Sequence, residues 1–331
     1  MAENPLLALP HAESDRLRIE DELRTSVRGR TEAITEMAVH LIEAGGKRVR
    51  PVFSIAAAAC AAGYEGPADI DAIRGGVSVE LVHLGSLYHD DVIDEAVTRR
   101  GIESVNARWG NLRAILAGDF LLARASEIAA SLGTEVAGLL AATIGRLCEG
   151  EVEELSAAYQ LDRTEDSYLA AIEGKTASLL STACRIGGIV VDLPRAEINE
   201  LTAFGLDYGM AFQIVDDILD VIATDDQLGK PAGLDLREGA YNLPTLRALK
   251  AAEGDELRTL LGAPIDGDVL DRARTLVRTS SGLDEAIGVA HDYVASAVGH
   301  LAGFEDRHAA AVLASAAQHL LDGVDAVRSA L

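Results

Sequence analysis

Between Pro67 and Pro194 the chain runs for 126 residues without a proline. Proline breaks a helix interior because it lacks the amide hydrogen and its ring collides with the preceding turn. This stretch therefore leaves room for several uninterrupted helices. Apolar residues make up 49% of the 331-residue chain but aromatic residues only 4%, so the core must be built from Ala, Leu, Val and Ile. That mixture favours helix over sheet, and no stretch shows the strict alternation of a half-buried strand. The expected fold class is all-α, with a flexible N-terminal arm over 1–15 and a single domain over 16–331.

Apolar spacing predicts an amphipathic helix over 16–44, stopped by Gly45-Gly46. Pro51 suits the first turn of the next helix. A long apolar helix follows over 69–95, then a polar loop from Thr98 to Gly101. Further helices are predicted near 111–131, 134–159, 165–190 and 196–223. The segment 224–242, with Gly229, Pro231, Gly233 and Gly239, reads as a loop long enough to suggest a function. Helices resume from 243, with a break near 262–267.

The formal net charge is −24, which argues against nucleic acid as a partner. It also means that an anionic ligand would need local cations or a bound metal. Only four basic residues are lysine, and Lys47, Lys175 and Lys230 each follow a glycine in a polar break. Cys60, Cys148 and Cys184 form no CxxC pair, so a cytoplasmic chain with reduced thiols is the simplest expectation. No basic segment precedes an apolar run at the N-terminus, and no run of ~20 apolar residues occurs. Neither a signal peptide nor a transmembrane segment is expected.

The acidic residues are not scattered evenly. Asp90, Asp91 and Asp94 end one apolar helix, and Asp216, Asp217 and Asp220 repeat the Asp-Asp-x-x-Asp spacing on another. Residues four apart share a helix face, so Asp90 and Asp94 project together. Three carboxylates on one turn repel one another, and a divalent cation resolves the conflict. Mg²⁺ takes oxygen ligands and typically uses one or two carboxylates with phosphate oxygens. One such cluster alone is often just a solvated helix end. Two of them, each on an apolar helix, point to a metal-held diphosphate.

The basic elements fit that chemistry. Gly45-Gly46-Lys47-Arg48-Val49-Arg50-Pro51 combines a glycine turn, cations and a helix N-terminus. Arg99-Arg100 follows the first acidic motif closely enough to fold back over it, and paired arginines suit phosphate. His83 lies two helical turns before Asp90 on the same face. It is either an anion donor or a satisfied core residue.

The run Leu81-Val-His-Leu-Gly-Ser-Leu-Tyr-His-Asp-Asp-Val-Ile-Asp94, followed by Arg99-Arg100-Gly101, resembles the trans-isoprenyl diphosphate synthases. So do Gly118-Asp119-Phe120-Leu121-Leu122, Gly174-Lys175-Thr176, Phe212-Gln213-Ile-Val-Asp-Asp-Ile-Leu-Asp220 and Gly229-Lys230. The resemblance runs from about residue 40 to 250. It implies an isoprenoid-synthase-type bundle of ten or more helices around a deep central cavity, in a homodimer. It implies that Lys47, Arg50, His83 and Arg100 hold isopentenyl diphosphate. Arg99, Lys175 and Lys230 would hold an allylic diphosphate, with three Mg²⁺ on the six aspartates. Thr176 and Gln213 would stabilise the developing carbocation. The chain departs from the family at Tyr241-Asn242, where a lysine and a threonine usually precede Leu-Pro.

The implied reaction joins isopentenyl diphosphate to an allylic diphosphate and gives a linear all-trans product. Small residues before the first motif bear on its length. Val82, Gly85 and Ser86 lie eight, five and four residues before Asp90, and Gly75, Gly76 and Ser78 lie further up. An open wall from 75 to 90 would line a tunnel of about 22 Å at ~1.5 Å per residue. The expected product has at least twenty carbons. Two other functions carry weight: a partner-dependent or non-catalytic subunit of a heteromeric synthase, and a terpene cyclase. The cyclase would lack the intact second motif and would not need the Lys47–Arg50 segment.

Overall fold

The computed structural model describes residues 4–228 and 231–329. The architecture is all-α, as composition and proline spacing predict. Among the described residues the only strands are a two-residue pair, Thr98–Arg99 against Ile102–Glu103. Two compact units divide the chain, and each is assembled from three stretches. The first takes the chain up to Ile144, Leu179–Thr202 and Gly303–Leu313. The second takes Gly145–Ser178, Ala203–Ala302 and everything from Ala314 onward.

The first unit opens with α1 (Ala12–Ser26), α2 (Glu32–Glu43) and α3 (Val49–Ala58), and continues through α4 (Ile70–Ile93), α5 (Val105–Trp109) and α6 (Asn111–Ser131). The single helix expected over 16–44 is two helices. The chain turns at Gly29, whose amide donates to Thr35 Oγ1 at 2.9 Å. A Cβ at Gly29 would fall 2.2 Å from Ile34 Cγ2. The helix also starts inside the expected arm, and Leu6 and Leu9 are buried.

Asp69 caps α4 by accepting from the Asp71 amide at 2.8 Å. Helix α4 is buried on nearly every side, which its continuous apolar sequence requires. Its glycines admit close neighbours. A Cβ at Gly76 would lie 2.5 Å from Pro51 Cα, and one at Gly75 would lie 2.4 Å from Ile186 Cγ2. Ser78 is fully buried and bonds the Gly75 carbonyl. These residues were expected to keep a wall open. They instead let α3 and other parts of the first unit pack at van der Waals distance.

Helix α7 (Thr134–Ser156) leads into the second unit, which takes α8 (Glu165–Ile172) and a π-helical turn at Glu173–Ala177; α9 (Ser178–Val190) belongs to the first unit, and α10 (Arg195–Ile222) passes from the first to the second. The expected helix over 165–190 is therefore interrupted by one wide turn. The expected loop over 224–242 holds two short helices, α11 (Asp225–Leu228) and α12 (Leu234–Glu238). Five more helices follow: α13 (Leu243–Ala248), α14 (Gly254–Leu260), α15 (Gly267–Thr279), α16 (Ser281–Gly299) and α17 (His308–Ser329). The core of the second unit gathers Tyr168, Ile172, Met210, Ile214, Ile218 and Tyr241 with apolar residues of α13 to α16. Among the described residues no helix is long and apolar enough to cross a membrane.

Candidate active site

The first motif occupies the last turn of α4. Asp91 is fully buried, Asp90 is half-buried and Asp94 is exposed. Arg99 donates its Nε to Asp91 Oδ1 at 2.7 Å. Asp91 Oδ2 is buried without a hydrogen-bond partner. Burial pushes the Asp91 carboxyl up, and the Arg99 guanidinium pulls against it. Asn106 fixes the turn by donating to the carbonyls of Asp91 and Ala96 at 2.9 and 3.0 Å. A hard cation fits this donor set, because it would satisfy the orphaned carboxylate oxygen.

The glycine turn before α3 sets the basic side of the first unit. Gly45, Gly46 and Arg48 all have positive φ, at 87°, 155° and 49°. The unusual backbone at Arg48 turns its side chain inward. Its Nε and Nη2 donate to Glu20 at 2.7 and 3.2 Å, and Nη1 reaches Glu80 Oε1 at 3.3 Å. The remaining bonds go to the carbonyls of Gly45 and Ile42. With every donor engaged inside the protein, Arg48 is a brace for the turn.

Arg50 differs. Its Nε is buried with no hydrogen-bond partner. Burial lowers its pKa, Glu80 opposes this, and Arg100 adds repulsion. Arg100 donates to the carbonyls of Leu41, at 3.1 Å, and Gly45. His83 feels burial first and then the charges of Arg50, Arg100, Arg99 and Arg48, which hold it well below its usual range. It is a neutral imidazole beside a guanidinium cluster. The first unit thus brings together Arg50, His83, Arg99 and Arg100. Lys47 is exposed and lines a cavity of about 210 Å³ with Leu6, Leu9, Ile19 and Val52.

The chain-length candidates also lie on α4. Val82 is buried. Ser86 is half-buried, and its hydroxyl donates to the His83 carbonyl at 2.9 Å. Gly85 does not face open space. A Cβ there would lie 3.1 Å from the Gly118 carbonyl oxygen and 3.2 Å from Leu122 Cδ2 on α6. Its small size admits α6 at close range.

In the second unit Asp216 is exposed, while Asp217 and Asp220 are buried. Asp217 accepts from the Tyr168 hydroxyl at 2.5 Å and from Gln213 Nε2 at 2.8 Å. Burial pushes its carboxyl up to about 7, with Asp216 and Glu154 adding to the rise and the two hydrogen bonds opposing it. Gln213 Oε1 accepts from Thr176 Oγ1 at 2.9 Å, so these two expected partners do meet. Asp220 Oδ2 accepts from the Asp235 amide at 3.2 Å. Asp235 in turn accepts from Asn242 Nδ2 at 2.9 Å. The segment that departs from the family pattern is therefore wired to the second motif.

Lys175 sits on the π-helical turn, a feature that often marks functional positions. Glu154 and Glu151 approach it at 2.5 and 2.9 Å. Burial lowers its pKa, but the two carboxylates outweigh burial and raise it overall. Backbones touch here. A Cβ at Gly174 would lie 2.6 Å from the Arg146 carbonyl oxygen, and one at Gly150 would lie 2.7 Å from that of Ala171. This contact seats α7, with Glu151 and Glu154, over the lysine.

A cavity of about 170 Å³ is lined by Lys175, Gln213, Asp216, Asp217, Asp235 and Arg163, among others. Lys230, also expected at the diphosphate, lies outside the described residues. Among the described residues no three acidic, histidine or cysteine groups converge closely enough to enclose an ion unaided. Mg²⁺ commonly completes its shell from water and substrate phosphates, so the aspartates fit that ion best with a diphosphate present. Sequence spacing did not single out Arg163, Tyr168, Glu80, Glu151 or Glu154. Each acquires its place from a segment distant in the chain.

The sequence pattern of the polyprenyl synthetase family matches residues 31–317. The chain is 40% identical over 292 residues to nonaprenyl diphosphate synthase of Mycobacterium tuberculosis, covering 87% of this chain and 86% of that one. It is 36% identical over 304 residues to heptaprenyl diphosphate synthase component 2 of Geobacillus stearothermophilus, covering 91% and 93%. The crystal structure of polyprenyl synthase from Caulobacter crescentus, complexed with calcium and isoprenyl diphosphate, is similar at a TM-score of 0.87. It shares 33% identity, and 96% of each chain is covered. The chain belongs to the polyprenyl synthetase family, the prenyl-transferring enzymes with this all-α fold.

Proposed function

We propose that the chain is a Mg²⁺-dependent prenyltransferase that joins isopentenyl diphosphate to an allylic diphosphate. The product is a linear all-trans polyprenyl diphosphate of twenty carbons or more. One observation carries the reading. The first unit buries a carboxylate oxygen, Asp91 Oδ2, and a guanidinium nitrogen, Arg50 Nε, neither with a hydrogen-bond partner in the protein. The first calls for a cation and the second for an anion. The named relatives, nonaprenyl and heptaprenyl diphosphate synthases, support long products.

The residues divide the work. Lys47, Arg50, His83 and Arg100 hold isopentenyl diphosphate, with His83 as a neutral donor. Arg99, Lys175 and Lys230 hold the allylic diphosphate. The six motif aspartates hold the ions, three per site, which neutralise charge on the departing diphosphate when bound. Breaking the allylic C–O bond leaves a carbocation, and the oxygens of Thr176 and Gln213 face its positive charge. The alkene of isopentenyl diphosphate then forms the new carbon–carbon bond. A proton leaves to a diphosphate oxygen, so no side-chain base is needed. The polyprenyl synthetase domain extends over 16–331, and the chain works in the cytoplasm, in line with Cys60, Cys148 and Cys184 being free thiols.

A homodimer is part of this proposal. Helix α6 exposes Leu112, Ile115 and Leu116, with Leu112 at 73% and Leu116 at 54%. Apolar residues grouped on one helix face mark an interaction surface. A second reading, that the chain needs a different partner subunit, draws on its similarity to a heptaprenyl diphosphate synthase component 2. One assay separates the two. The purified chain is incubated with Mg²⁺, labelled isopentenyl diphosphate and allylic primers, and product length is measured. Elongation by the chain alone supports the enzyme; no incorporation without a partner supports the subunit; a cyclic hydrocarbon overturns both.

A further inference from the structure

We propose that Arg163 is an additional diphosphate-binding cation in the pocket of the second aspartate motif. The proposal rests on the function above and adds a residue to the allylic side of it. Arg163 lies just before Thr164, the residue that caps α8. It is only 8% exposed. Its Nη1 donates to the Tyr241 carbonyl at 3.2 Å, and its guanidinium carbon lies 5.6 Å from the centre of the Tyr168 ring. Its Nε and Nη2 are buried and have no hydrogen-bond partner.

A purely structural arginine satisfies its donors, as Arg48 does in the first unit. Buried donors without acceptors are costly to keep. A guanidinium with two nitrogens left over presents the flat fork that phosphate oxygens accept. The surroundings supply the anion's other contacts. Arg163 lines the same cavity as Lys175, Asp216, Asp217, Asp235 and Glu154. Lys175 is held by two glutamates, whereas Arg163 makes no ion pair among the described residues. Arg163 therefore brings two unused donor nitrogens to the pocket alongside the ammonium of Lys175.

The neighbouring loop shares the cavity with Arg163. Ala240 and Asn242 line the cavity, and Tyr241-Asn242 is the step at which the chain departs from the family pattern. Arg163 is fastened to the carbonyl of the intervening Tyr241.

The test compares full-length wild type with Arg163→Met, Arg163→Gln and Arg163→Lys. Inorganic pyrophosphate with Mg²⁺ is the probe, titrated by calorimetry, and KM is measured for each substrate. Arg163→Met is expected to weaken pyrophosphate binding by about 10- to 100-fold, the worth of one or two charge-assisted hydrogen bonds. KM for the allylic diphosphate rises with it, and KM for isopentenyl diphosphate stays unchanged. Glutamine can still donate to Tyr241, so Arg163→Gln keeps the wild-type melting temperature but loses the same affinity. Lysine restores part of it. If folded Arg163→Gln or Arg163→Met binds pyrophosphate as well as wild type, Arg163 is only a brace for Tyr241 and Tyr168. That result leaves the elongation activity standing. Wild type that binds pyrophosphate but elongates no primer overturns the activity instead.

Discussion

The hydroxyl of Tyr168 donates to Asp217 Oδ2 at 2.5 Å, tying a buried carboxylate of the second motif to a ring in the core. Removing that donor leaves Asp217 more easily protonated, because a hydrogen bond to the charged form is lost. Partners that orient metal ligands typically contribute 10- to 100-fold in affinity or activity. Tyr168→Phe is expected to raise the Mg²⁺ concentration for half-maximal elongation by about 10-fold. Titrating activity against Mg²⁺ checks this. An unchanged half-saturation point would detach Asp217 from the metal.

Arg48 and Glu80 form a buried pair at 3.3 Å, with side-chain exposures of 0% and 2%. Removing one partner strands the other charge. Arg48→Met is expected to destabilise the protein by about 3 to 5 kcal/mol, read from urea unfolding. A loss below about 1 kcal/mol, the range of exposed pairs, would show that the turn stands without its brace.

His83 makes stability depend on pH. Burial, and then four arginines, hold it well below its ordinary 6.5. The unfolded chain takes up this proton near 6.5, while the folded chain takes it up only at much lower pH. Between those points the unfolded state binds more protons, so stability falls as pH drops, by up to about 1.4 kcal/mol per pH unit. Urea midpoints for His83→Gln should change less than those of wild type between about pH 6.5 and 5. Parallel profiles would mean that His83 is charged in the folded protein.

Ser86 and Gly85 separate tunnel from packing. Ser86 is half-buried and lies one helical turn before Asp90, so Ser86→Phe is expected to shorten the product by at least one five-carbon unit. Chromatography of the dephosphorylated products measures this. Gly85→Phe drives a ring towards the Gly118 carbonyl and Leu122, and overpacking of this kind costs about 1 to 3 kcal/mol or more. It should lower the melting temperature. A stable Gly85→Phe protein with a shorter product would restore Gly85 to the tunnel.

The parts legible in the sequence are those written in local spacing. Helix α4 and its aspartates follow from an apolar run and an i, i+4 pattern, and so do α6 and α10. The division of labour between Arg48 and Arg50 was not legible. It turns on a φ of 49° at Arg48, which sends one arginine inward to Glu20 and Glu80 and leaves its neighbour's Nε without an acceptor. Arg163 was invisible for a related reason. Its burial is created by Tyr168 and Tyr241, and the second lies 78 residues away. The close approach of α6 at Gly85 was not legible either, because a small residue signals open space and close packing equally. Only the position of Gly118 decides between them.

The wide turn at Glu173–Ala177 has a consequence for editing the chain. A π turn holds one residue more than an ordinary helical turn. Deleting a single residue there would let the hydrogen-bond ladder of α8 run on without interruption. It would also rotate all that follows by about 100°. Thr176 would lose its aim at Gln213 and α9 its buried face, although no side chain outside the deletion had changed. The bulge acts as a phase offset between two helices, so this stretch should tolerate substitution far better than any change in length.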